Sequence, residues 1–510
     1  MRLLRRNALG VYAVYAAAIA SGLVVTPIVV HSLGKSSFGI WSFIGSVTIY
    51  LSILDFGVGP SIVRFGAEAR GRRADEDLNA VASTGLAIYG AIGFVTLPLG
   101  LGLAWLVPWI IGAPHARVWD ARIATALVVA GLAARFPLGL FNNLLVAQQR
   151  WDLQNLGNFV STALYAVLVA VLMPHHGSLI LLGVLTLATT VLRLALPLAW
   201  LRRELPTLRI RRSYVTRARL REIASFSSSN FLVHIAQKIV FSTDVVVVAI
   251  VLGSSATGVY SIPAKLFALA FGIGTALTSL MFPAFAELEG EGALDRQRRL
   301  LLTGLRGGTA LMLLLALPLL LVPDLLIRGW IGKGYGGSYT VMAILAAVLL
   351  VHQPIYVLTQ FLIARARQRE VAWVSIVSTI ANLALSFALA RIWGLWGVAL
   401  STLLTDAAAL IWIVPRLAAP AARCSSLDLV RAVAQPLAAA SVASAAVLVA
   451  IARTWEPRTL PTLAVLGVVW AAAAGASIWW FGLSRSERAS IAHQVRPGAG
   501  AQVPLEPGGI

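Results

Sequence analysis

Five polar or charged side chains recur along one apolar stretch in the middle of the chain, at intervals that fit one side of an α-helix. Lys238 lies near the centre of the stretch, and His234 precedes it by about one turn on the same face. Asn230, Gln237 and Asp244 follow one another at seven-residue spacing on the adjoining face. An ammonium group among hydrogen-bonding side chains is suited to bind an anion. The spacing therefore predicts a helix whose polar side lines a path for an anionic ligand.

Three further cationic or titratable side chains interrupt other apolar stretches. Arg135 and His352 stand two residues before Pro137 and Pro354, and Lys265 lies in the stretch after the one just described. A charge at the centre of a membrane helix costs about 3 kcal/mol on insertion scales, so we expect these groups to face a hydrophilic cavity. Lys265 has an alternative, in which its long side chain reaches the membrane surface. Cations in a cavity suit a phosphate or pyrophosphate, because lysine provides a point charge and arginine a bidentate fork.

Acidic side chains provide candidates for ion coupling or for charge compensation. Four of them lie within or at the ends of apolar stretches, namely Asp55, Asp244, Asp324 and Asp406, and Asp55, Asp244 and Asp406 are the candidates. Asp244 has two interpretations that the sequence leaves open. It neutralises Lys238 or Lys265, or it exchanges partners and binds the H⁺ or Na⁺ that drives the movement of a solute.

The sequence motifs of enzymes are incomplete in this chain. Gly34-Lys35-Ser36 has the ending of a phosphate-binding loop, but Val29 stands where that motif requires its first glycine. Cys424 is the only cysteine, which excludes disulfides and cysteine-rich metal sites. His175 and His176 adjoin in a short turn with no further ligand nearby, so they predict no zinc site. We expect no catalytic residue, no metal site and no cofactor.

The composition predicts an all-α integral membrane protein. Hydrophobic residues make up 58% of the chain and charged residues 12%, which is about half of the roughly 25% in an ordinary soluble domain. Backbone amides in hydrocarbon must be satisfied within the segment, which requires helices of about 20 residues. Fourteen apolar stretches meet this requirement: 8–30, 38–59, 80–111, 121–146, 159–173, 179–201, 226–252, 259–285, 305–323, 339–363, 371–391, 397–415, 432–452 and 460–481.

The distribution of Lys and Arg predicts the orientation of these spans. Positive residues concentrate in alternate connecting segments, and cytoplasmic segments carry such an excess, so we expect both termini in the cytoplasm. The densest run, 202–221, holds eight Arg and is expected to lie at the membrane surface. Arg193, near the end of its span, is expected to reach that surface too. The net charge of +20 comes without an aromatic-studded basic domain, so we expect anionic membrane lipids and no nucleic acid as partners.

An internal repeat predicts the architecture of the spans. Residues 33–42 and 252–261 match at five of ten positions with an offset of 219, and 160–162 repeats as 377–379 with an offset of 217. Each copy then comprises six spans that start on the same side of the membrane. Such parallel repeats form two pseudo-symmetric lobes around an axis along the membrane normal, with a central cavity and alternating access.

The repeat also sets the predicted domain boundaries. Gly34 and Gly253 occupy equivalent places and are expected to end a helix at the same outer turn of each lobe. The predicted segments are the first lobe 1–201, a basic cytoplasmic linker 202–225, the second lobe 226–416, two further spans in 417–482 and a disordered cytoplasmic tail 483–510.

The first copy of the repeat carries motifs of a known family. Residues 33–68 contain LG-x-x-x-FG followed by YLSILDFGVGPSIVRF. This stretch resembles the opening of the lipid-linked oligosaccharide flippases of the polysaccharide transporter family. Thr243-Asp244 and residues 259–266 are similar to the second half of that family. The resemblance implies the fold of the superfamily of multidrug, oligosaccharidyl-lipid and polysaccharide exporters (MOP), with two six-helix lobes and two extra helices.

The same resemblance implies a function. A flippase of this family moves an undecaprenyl-pyrophosphate-linked oligosaccharide repeat unit, as in O-antigen and lipopolysaccharide synthesis, from the inner to the outer leaflet of the bacterial cytoplasmic (inner) membrane. Coupling to an H⁺ or Na⁺ gradient is implied as well. The implied transporter is a monomer whose partners are glycosyltransferases and a polysaccharide polymerase.

Three other functions compete with this one. A peptidoglycan-precursor (lipid II) flippase and a multidrug exporter belong to the same superfamily. An exporter of organic cations would favour an acidic cavity, and Lys238, Lys265 and Arg135 weigh against it. A membrane enzyme that polymerises or ligates glycans usually needs a large outer loop to hold the reaction, and the predicted outer loops are short.

Overall fold

The structure is a computed structural model that describes residues 2–435, 445, 448–450 and 460–477. Within these ranges, the side chains of residues 2–9, 11–12, 228–242, 277, 460 and 463–464 lie outside the description. The described residues form helices joined by short loops, and they include no β-strand. The all-α class that composition predicts is confirmed.

The helices follow one another with few residues between them. In chain order they are α1 (Arg2–Leu51), α2 (Val58–Gly71), α3 (Asp75–Ile110), α4 (Val118–Ala147), α5 (Trp151–Leu172), α6 (Leu179–Glu204), α7 (Arg217–Ser279), α8 (Met281–Gly290), α9 (Leu294–Leu321), α10 (Pro323–Trp330), α11 (Gly337–Ala364), α12 (Gln368–Trp393), α13 (Leu395–Ile413), α14 (Ala419–Ala422), α15 (426–435) and α16 (Leu460–Ser477). A π-helical turn, Val414–Ala418, joins α13 to α14.

Ten helical segments in the described part of the chain are long and apolar enough to cross a membrane. Ala13–Asp55 overlaps the first and second predicted spans, and Thr243–Gly290 contains the eighth and the last ten residues of the seventh. The other eight segments each overlap one of the remaining predictions up to the twelfth. The thirteenth predicted span, 432–452, lies largely outside the described residues. Helix α16 falls within the fourteenth.

Helices α1 and α7 are each interrupted at a glycine of the repeat. At Gly34 φ is 74° and ψ is 172°, and at Gly253 φ is 83° and ψ is −177°. Residues with a Cβ avoid this combination of angles, which is essentially restricted to glycine. The chain therefore stops one helix and starts the next at the two positions that the repeat aligns.

Replacement of Gly34 or Gly253 with alanine is expected to lower the free energy of unfolding by about 1–3 kcal/mol each. The penalty is conformational, since open space surrounds the place where a Cβ would be added on Gly34. Thermal unfolding of the purified protein in detergent measures the change. Gly45→Ala is the matched control, because Gly45 is helical and equally open. Equal stability of G34A, G253A and G45A would contradict the strain at the two breaks.

The two copies of the repeat cross each other immediately after these breaks. A Cβ added to Gly39 would overlap the carbonyl oxygen of Ser254, and a Cβ added to Gly258 would overlap that of Lys35. The hydroxyls of Ser36 and Ser254 are 2.8 Å apart at the same crossing. Gly39 and Gly258 are equivalent in the repeat, as are Lys35 and Ser254, so each copy makes the same contact with the other.

Short helices occupy two segments that hydropathy alone assigns to loops. Helix α2 follows a left-handed pair, Phe56 and Gly57, and it buries Ile62 and Phe65 while Arg64 stays exposed. Helix α8 holds the corresponding place in the second copy. Both are too short and too polar to be found by a search for membrane spans.

Packing divides the chain into two compact units. Unit 1 comprises Met1–Leu269, Ile331–Leu345 and Ala372–Thr405, and unit 2 comprises Ala270–Trp330, Ala346–Val371 and Asp406–Ile510. These units follow packing density, whereas the predicted lobes follow sequence repetition. The lobe boundaries therefore stay a prediction.

In unit 1, the basic segment after α6 is held against α3. The backbone N–H of Arg209 donates to Asn79 Oδ1 at 2.7 Å, and that of Arg211 donates to Ser83 Oγ at 3.1 Å. Arg219 forms an ion pair with Asp77 at 3.0 Å. The segment is thus an ordered strap that leaves most of its arginine side chains exposed.

In unit 2, the core forms between α9 and α16. Leu313, Leu317 and Trp470 are buried together, and the Trp470 indole N–H donates to the carbonyl oxygen of Leu314 at 3.0 Å. This bond satisfies the one polar group of a large apolar side chain. Helix α16 is therefore an integral part of unit 2.

Candidate functional site

The predicted polar face of the seventh span lies on helix α7. The side chains of Asn230, His234, Gln237 and Lys238 lie outside the described residues, so their role stays a prediction. Asp244, one turn or more beyond them on the same helix, is described and buried.

The cations that the sequence analysis singled out within the apolar stretches of unit 1 have no carboxylate within ion-pair distance among the described side chains: Arg135 on α4, Arg193 on α6 and Lys265 on α7. Arg135 and Lys265 are exposed, and Arg193 is half-buried. Helices α4 and α6 pack together, and Arg193 lies within electrostatic range of Arg135. Like charges repel each other, so an anion near these two guanidinium groups would relieve the repulsion between them.

That the Arg193 side chain reaches the membrane surface stays a prediction. The structure adds that Arg193 lies within electrostatic range of Arg135, a proximity that the sequence analysis did not indicate. The two residues are 58 positions apart in sequence, and only the packing of α4 on α6 brings them together.

Asp55 forms a polar cluster with two residues that sequence patterns did not identify. The Tyr89 hydroxyl donates to Asp55 Oδ1 at 2.8 Å, and Asn143 Nδ2 donates to the Tyr89 oxygen at 3.3 Å. The charge of Arg135 also acts on the Tyr89 hydroxyl. Tyr89 thus contacts Asp55 directly and lies within electrostatic range of Arg135. The only signal for Tyr89 and Asn143 was a polar group inside an apolar stretch.

Asp244 is anchored by hydroxyl groups. Its Oδ2 accepts hydrogen bonds from Tyr260 at 3.0 Å and from Thr402 at 3.1 Å. Asn382 donates in turn to the Thr402 hydroxyl at 3.0 Å, which extends the network from α7 through α13 to α12. Both interpretations of Asp244, compensation of Lys238 or Lys265 and the binding of a coupling ion, stay predictions.

His352 and Asp406 meet in unit 2. His352 Nδ1 is 2.7 Å from Asp406 Oδ2, and the side chains are 16% and 12% exposed. The Phe271 ring packs edge-on against the imidazole, with ring centroids 5.1 Å apart. The sequence identified both residues but assigned them to different roles, the histidine to a substrate cavity and the aspartate to ion coupling.

The described residues contain no group of three or more His, Cys, Asp or Glu side chains that could hold a metal ion. Cys424 is a free cysteine of intermediate exposure. Its surroundings include Arg298 and Asp428, and burial raises the pKa of its thiol.

The fold, with its long apolar helices in the described part of the chain, defines a multi-pass membrane protein. Residues 4–289 match the family model described as "Polysaccharide biosynthesis protein". The chain belongs to that family. It is also 25% identical over 397 residues to the "Uncharacterized membrane protein EpsK" of Bacillus subtilis (strain 168), across 74% of this chain and 75% of the relative.

Solved structures share the fold. A structure described as lipid II flippase MurJ in an inward closed conformation aligns with a TM-score of 0.70 over 92% of this chain and 99% of its own, at 13% identity. A multidrug resistance MATE family transporter of the MOP superfamily, in an inward-facing conformation, aligns with a TM-score of 0.66 over 78% of this chain and 92% of its own, at 15% identity. The predicted MOP fold is confirmed.

Proposed function

We propose that this protein flips an undecaprenyl-pyrophosphate-linked oligosaccharide from the inner to the outer leaflet for surface polysaccharide synthesis. The observation that carries the proposal is the set of unpaired cations inside the helices of unit 1: Arg135, Arg193 and Lys265. Membership in the polysaccharide biosynthesis protein family supports the glycan part of the cargo.

A pyrophosphate group matches this set of charges. Arg135 and Arg193 offer planar forks that bind phosphate oxygens in pairs, and Lys265 adds a third positive charge. Each charge-assisted hydrogen bond contributes about 1.5–3 kcal/mol, and the repulsion between the two guanidinium groups is relieved when an anion binds. Asp55, which accepts from Tyr89 through one carboxylate oxygen, offers a further acceptor for a sugar hydroxyl.

The rest of the proposal concerns the setting of the transporter. It is a monomer in the bacterial cytoplasmic membrane with both termini in the cytoplasm, and its transport is coupled to an H⁺ or Na⁺ gradient. The exposed arginines of the strap after α6 bind anionic lipid headgroups at the cytoplasmic surface. Glycosyltransferases supply the cargo and a polysaccharide polymerase consumes it.

A lipid II flippase is the second candidate. The likeness to the MurJ structure favours it, because the fold is shared over 92% of this chain. A lipid-linked peptidoglycan precursor also presents an anionic phosphate linkage, so the cations of unit 1 suit both cargoes. An exporter of organic cations is disfavoured, since Arg135, Arg193 and Lys265 would repel its cargo.

Ligand-dependent thermal stability of the purified protein distinguishes these functions. At a free concentration of a hundred times its dissociation constant, a ligand stabilises the folded state by about 2.7 kcal/mol. We expect stabilisation by a polyprenyl-pyrophosphate oligosaccharide, weaker stabilisation by lipid II, and none by the uncharged polyprenol or an organic cation. Stabilisation by lipid II alone would favour the second candidate. Stabilisation by the organic cation alone would contradict both flippase functions.

A further inference from the structure

An arginine near the start of α4 lies between two tryptophans. The guanidinium carbon of Arg122 is 3.5 Å from the ring centroid of Trp105 on α3 and 5.0 Å from that of Trp119 on α4. The two indole rings meet edge to face, with their centroids 6.3 Å apart. A guanidinium over an indole face makes a favourable cation–π contact. The two rings therefore fix where this positive charge lies.

The charge of Arg122 has no counterpart in the described part of the chain. No described carboxylate lies within ion-pair distance of it, and its buried Nε makes no hydrogen bond. The nearest carboxylate in sequence, Asp120, pairs with Arg117 at 3.1 Å. Buried polar groups of native proteins are normally satisfied, so a charged donor without a partner points to an acceptor from outside the chain.

We propose that Arg122 binds the phosphate of an anionic phospholipid whose acyl chain lies along α3. A phosphate offers several acceptor oxygens to the planar fork of a guanidinium, and its negative charge balances the arginine. The two tryptophans hold the fork in place before the lipid arrives. This lipid site does not depend on which cargo the protein moves.

Helix α3 carries an exposed apolar stripe that leads away from Arg122. Phe94, Leu101, Trp105 and Trp109 follow one another at intervals of seven, four and four residues, which sets them on one side of the helix. All four side chains are exposed, and Phe94 is 80% exposed. Such a stripe on a membrane helix is suited to contact with acyl chains, which are as apolar as leucine.

The packing of α3 on α4 leaves this stripe open. A Cβ added to Gly93 would overlap the carbonyl oxygen of Ala133, and one added to Gly100 would overlap Val129. Both glycines lie on the side of α3 away from the stripe. Arg122 precedes Val129 by seven residues, so it lies on the face of α4 that packs on α3. Helix α4 thus covers the back of α3 and supplies the charge at one end of the stripe.

The length of the stripe corresponds to one leaflet of a bilayer. Phe94 and Trp105 are eleven residues apart, which is about 16 Å along a helix. One leaflet contributes about 15 Å to a hydrocarbon core of about 30 Å. Tryptophans concentrate at the level of the headgroups. A lipid whose phosphate lies at Arg122 therefore places the end of its acyl chain near Phe94.

Simpler occupants satisfy only part of this site. A free phosphate ion would balance Arg122 but would leave the apolar stripe of α3 without contact. An uncharged lipid would cover the stripe but would leave the guanidinium without an anion. A molecule that joins a phosphate to an acyl chain satisfies both features.

The site lies far from the basic strap after α6. The strap contacts Ser83 near the start of α3, and Trp105 lies 22 residues further, about 33 Å along the helix. This distance exceeds the thickness of the hydrocarbon core, so the two regions lie at opposite surfaces of the membrane. With the orientation proposed above, the strap is cytoplasmic and the lipid at Arg122 belongs to the outer leaflet.

Photo-crosslinking locates the lipid. Purified protein in detergent is mixed with a phosphatidylglycerol that carries a diazirine at the end of one acyl chain, and labelled peptides are identified by mass spectrometry. We expect wild type to be labelled on α3 around Phe94, and phosphatidylcholine with the same chains to label this region less. Arg122→Gln should lower the phosphatidylglycerol label there about 10-fold or more, because a charge-assisted contact is lost. Arg122→Lys, which keeps the charge without the fork, should give an intermediate label.

Two controls separate this site from other sources of binding. Arg117→Ala removes a paired arginine of the same turn and should be labelled as wild type is. Unlabelled phosphatidylglycerol should compete for the site, whereas glycerol phosphate at the same concentration should not. Equal labelling around Phe94 by the two lipids in wild type, or an undiminished label in R122Q, would overturn the site. Competition by glycerol phosphate as effective as that by phosphatidylglycerol would overturn the lipid as its occupant.

Discussion

Replacement of Arg135 with alanine is expected to weaken binding of a pyrophosphate-linked cargo by about 10- to 100-fold, and Arg193→Ala to do the same. Each substitution removes a guanidinium that would bind the pyrophosphate through two charge-assisted hydrogen bonds. No described carboxylate pairs with either guanidinium, so in wild type both are available to the cargo. Binding is measured by the ligand-dependent rise in unfolding temperature of each purified variant. The double variant should lose less binding free energy than the two single variants lose together, because both residues hold the same anion.

Two matched variants separate recognition of the anion from effects on folding. Arg135→Lys keeps the charge but loses the planar fork, so we expect binding between that of wild type and that of R135A. Arg117→Ala removes an exposed arginine that pairs with Asp120 outside the spans, and it should bind as wild type does. If the variant that combines R135A and R193A bound the cargo as tightly as wild type, the cations of unit 1 would not hold the cargo.

Substitution of Gly39 or Gly258 with valine is expected to prevent the two copies of the repeat from packing at their crossing. Each added Cβ would overlap a backbone carbonyl oxygen, which no change of rotamer can relieve. Overpacking of a close contact destabilises by about 1–3 kcal/mol, and overlap with backbone belongs at or above the upper end. We expect a large fall in unfolding temperature and poor accumulation in the membrane.

The repeat provides an internal check on that crossing. Because the two contacts are equivalent, G39A and G258A should lower the unfolding temperature by similar amounts. Either substitution alone should push the two helices apart, which breaks the other contact as well. Gly272→Ala is the control, since Gly272 is helical and has open space around it. Stability of G39A equal to that of G272A would contradict the close approach of the two helices.

Features encoded locally were predictable from the sequence. Glycine at equivalent positions of two similar decapeptides predicted the breaks at Gly34 and Gly253, because only glycine adopts those backbone angles at low energy. Apolar stretches of membrane length predicted the long helices. Helices α2 and α8 were missed for the same reason, since hydropathy finds spans and not short amphipathic helices.

Contacts between distant residues were not predictable in the same way. His352 and Asp406 were each identified from a charge in an apolar stretch, but they are 54 positions apart and the sequence carries no signal of their 2.7 Å contact. The Tyr89 bond to Asp55 and the proximity of Arg193 to Arg135 depend likewise on how helices pack. Hydropathy locates an ionisable residue along a helix, and only packing decides what it faces.

Translocation of a single labelled cargo tests the proposed flippase most directly. Purified protein is reconstituted into vesicles with a fluorescent polyprenyl-pyrophosphate disaccharide, and an impermeant quencher reports how much of the label changes leaflet. We expect wild type to exchange the label between leaflets much faster than protein-free vesicles do, and the Arg135→Ala, Arg193→Ala double variant to match the protein-free rate. Equal rates for wild type and protein-free vesicles, or for wild type and the double variant, would contradict a flippase that holds its cargo through these arginines.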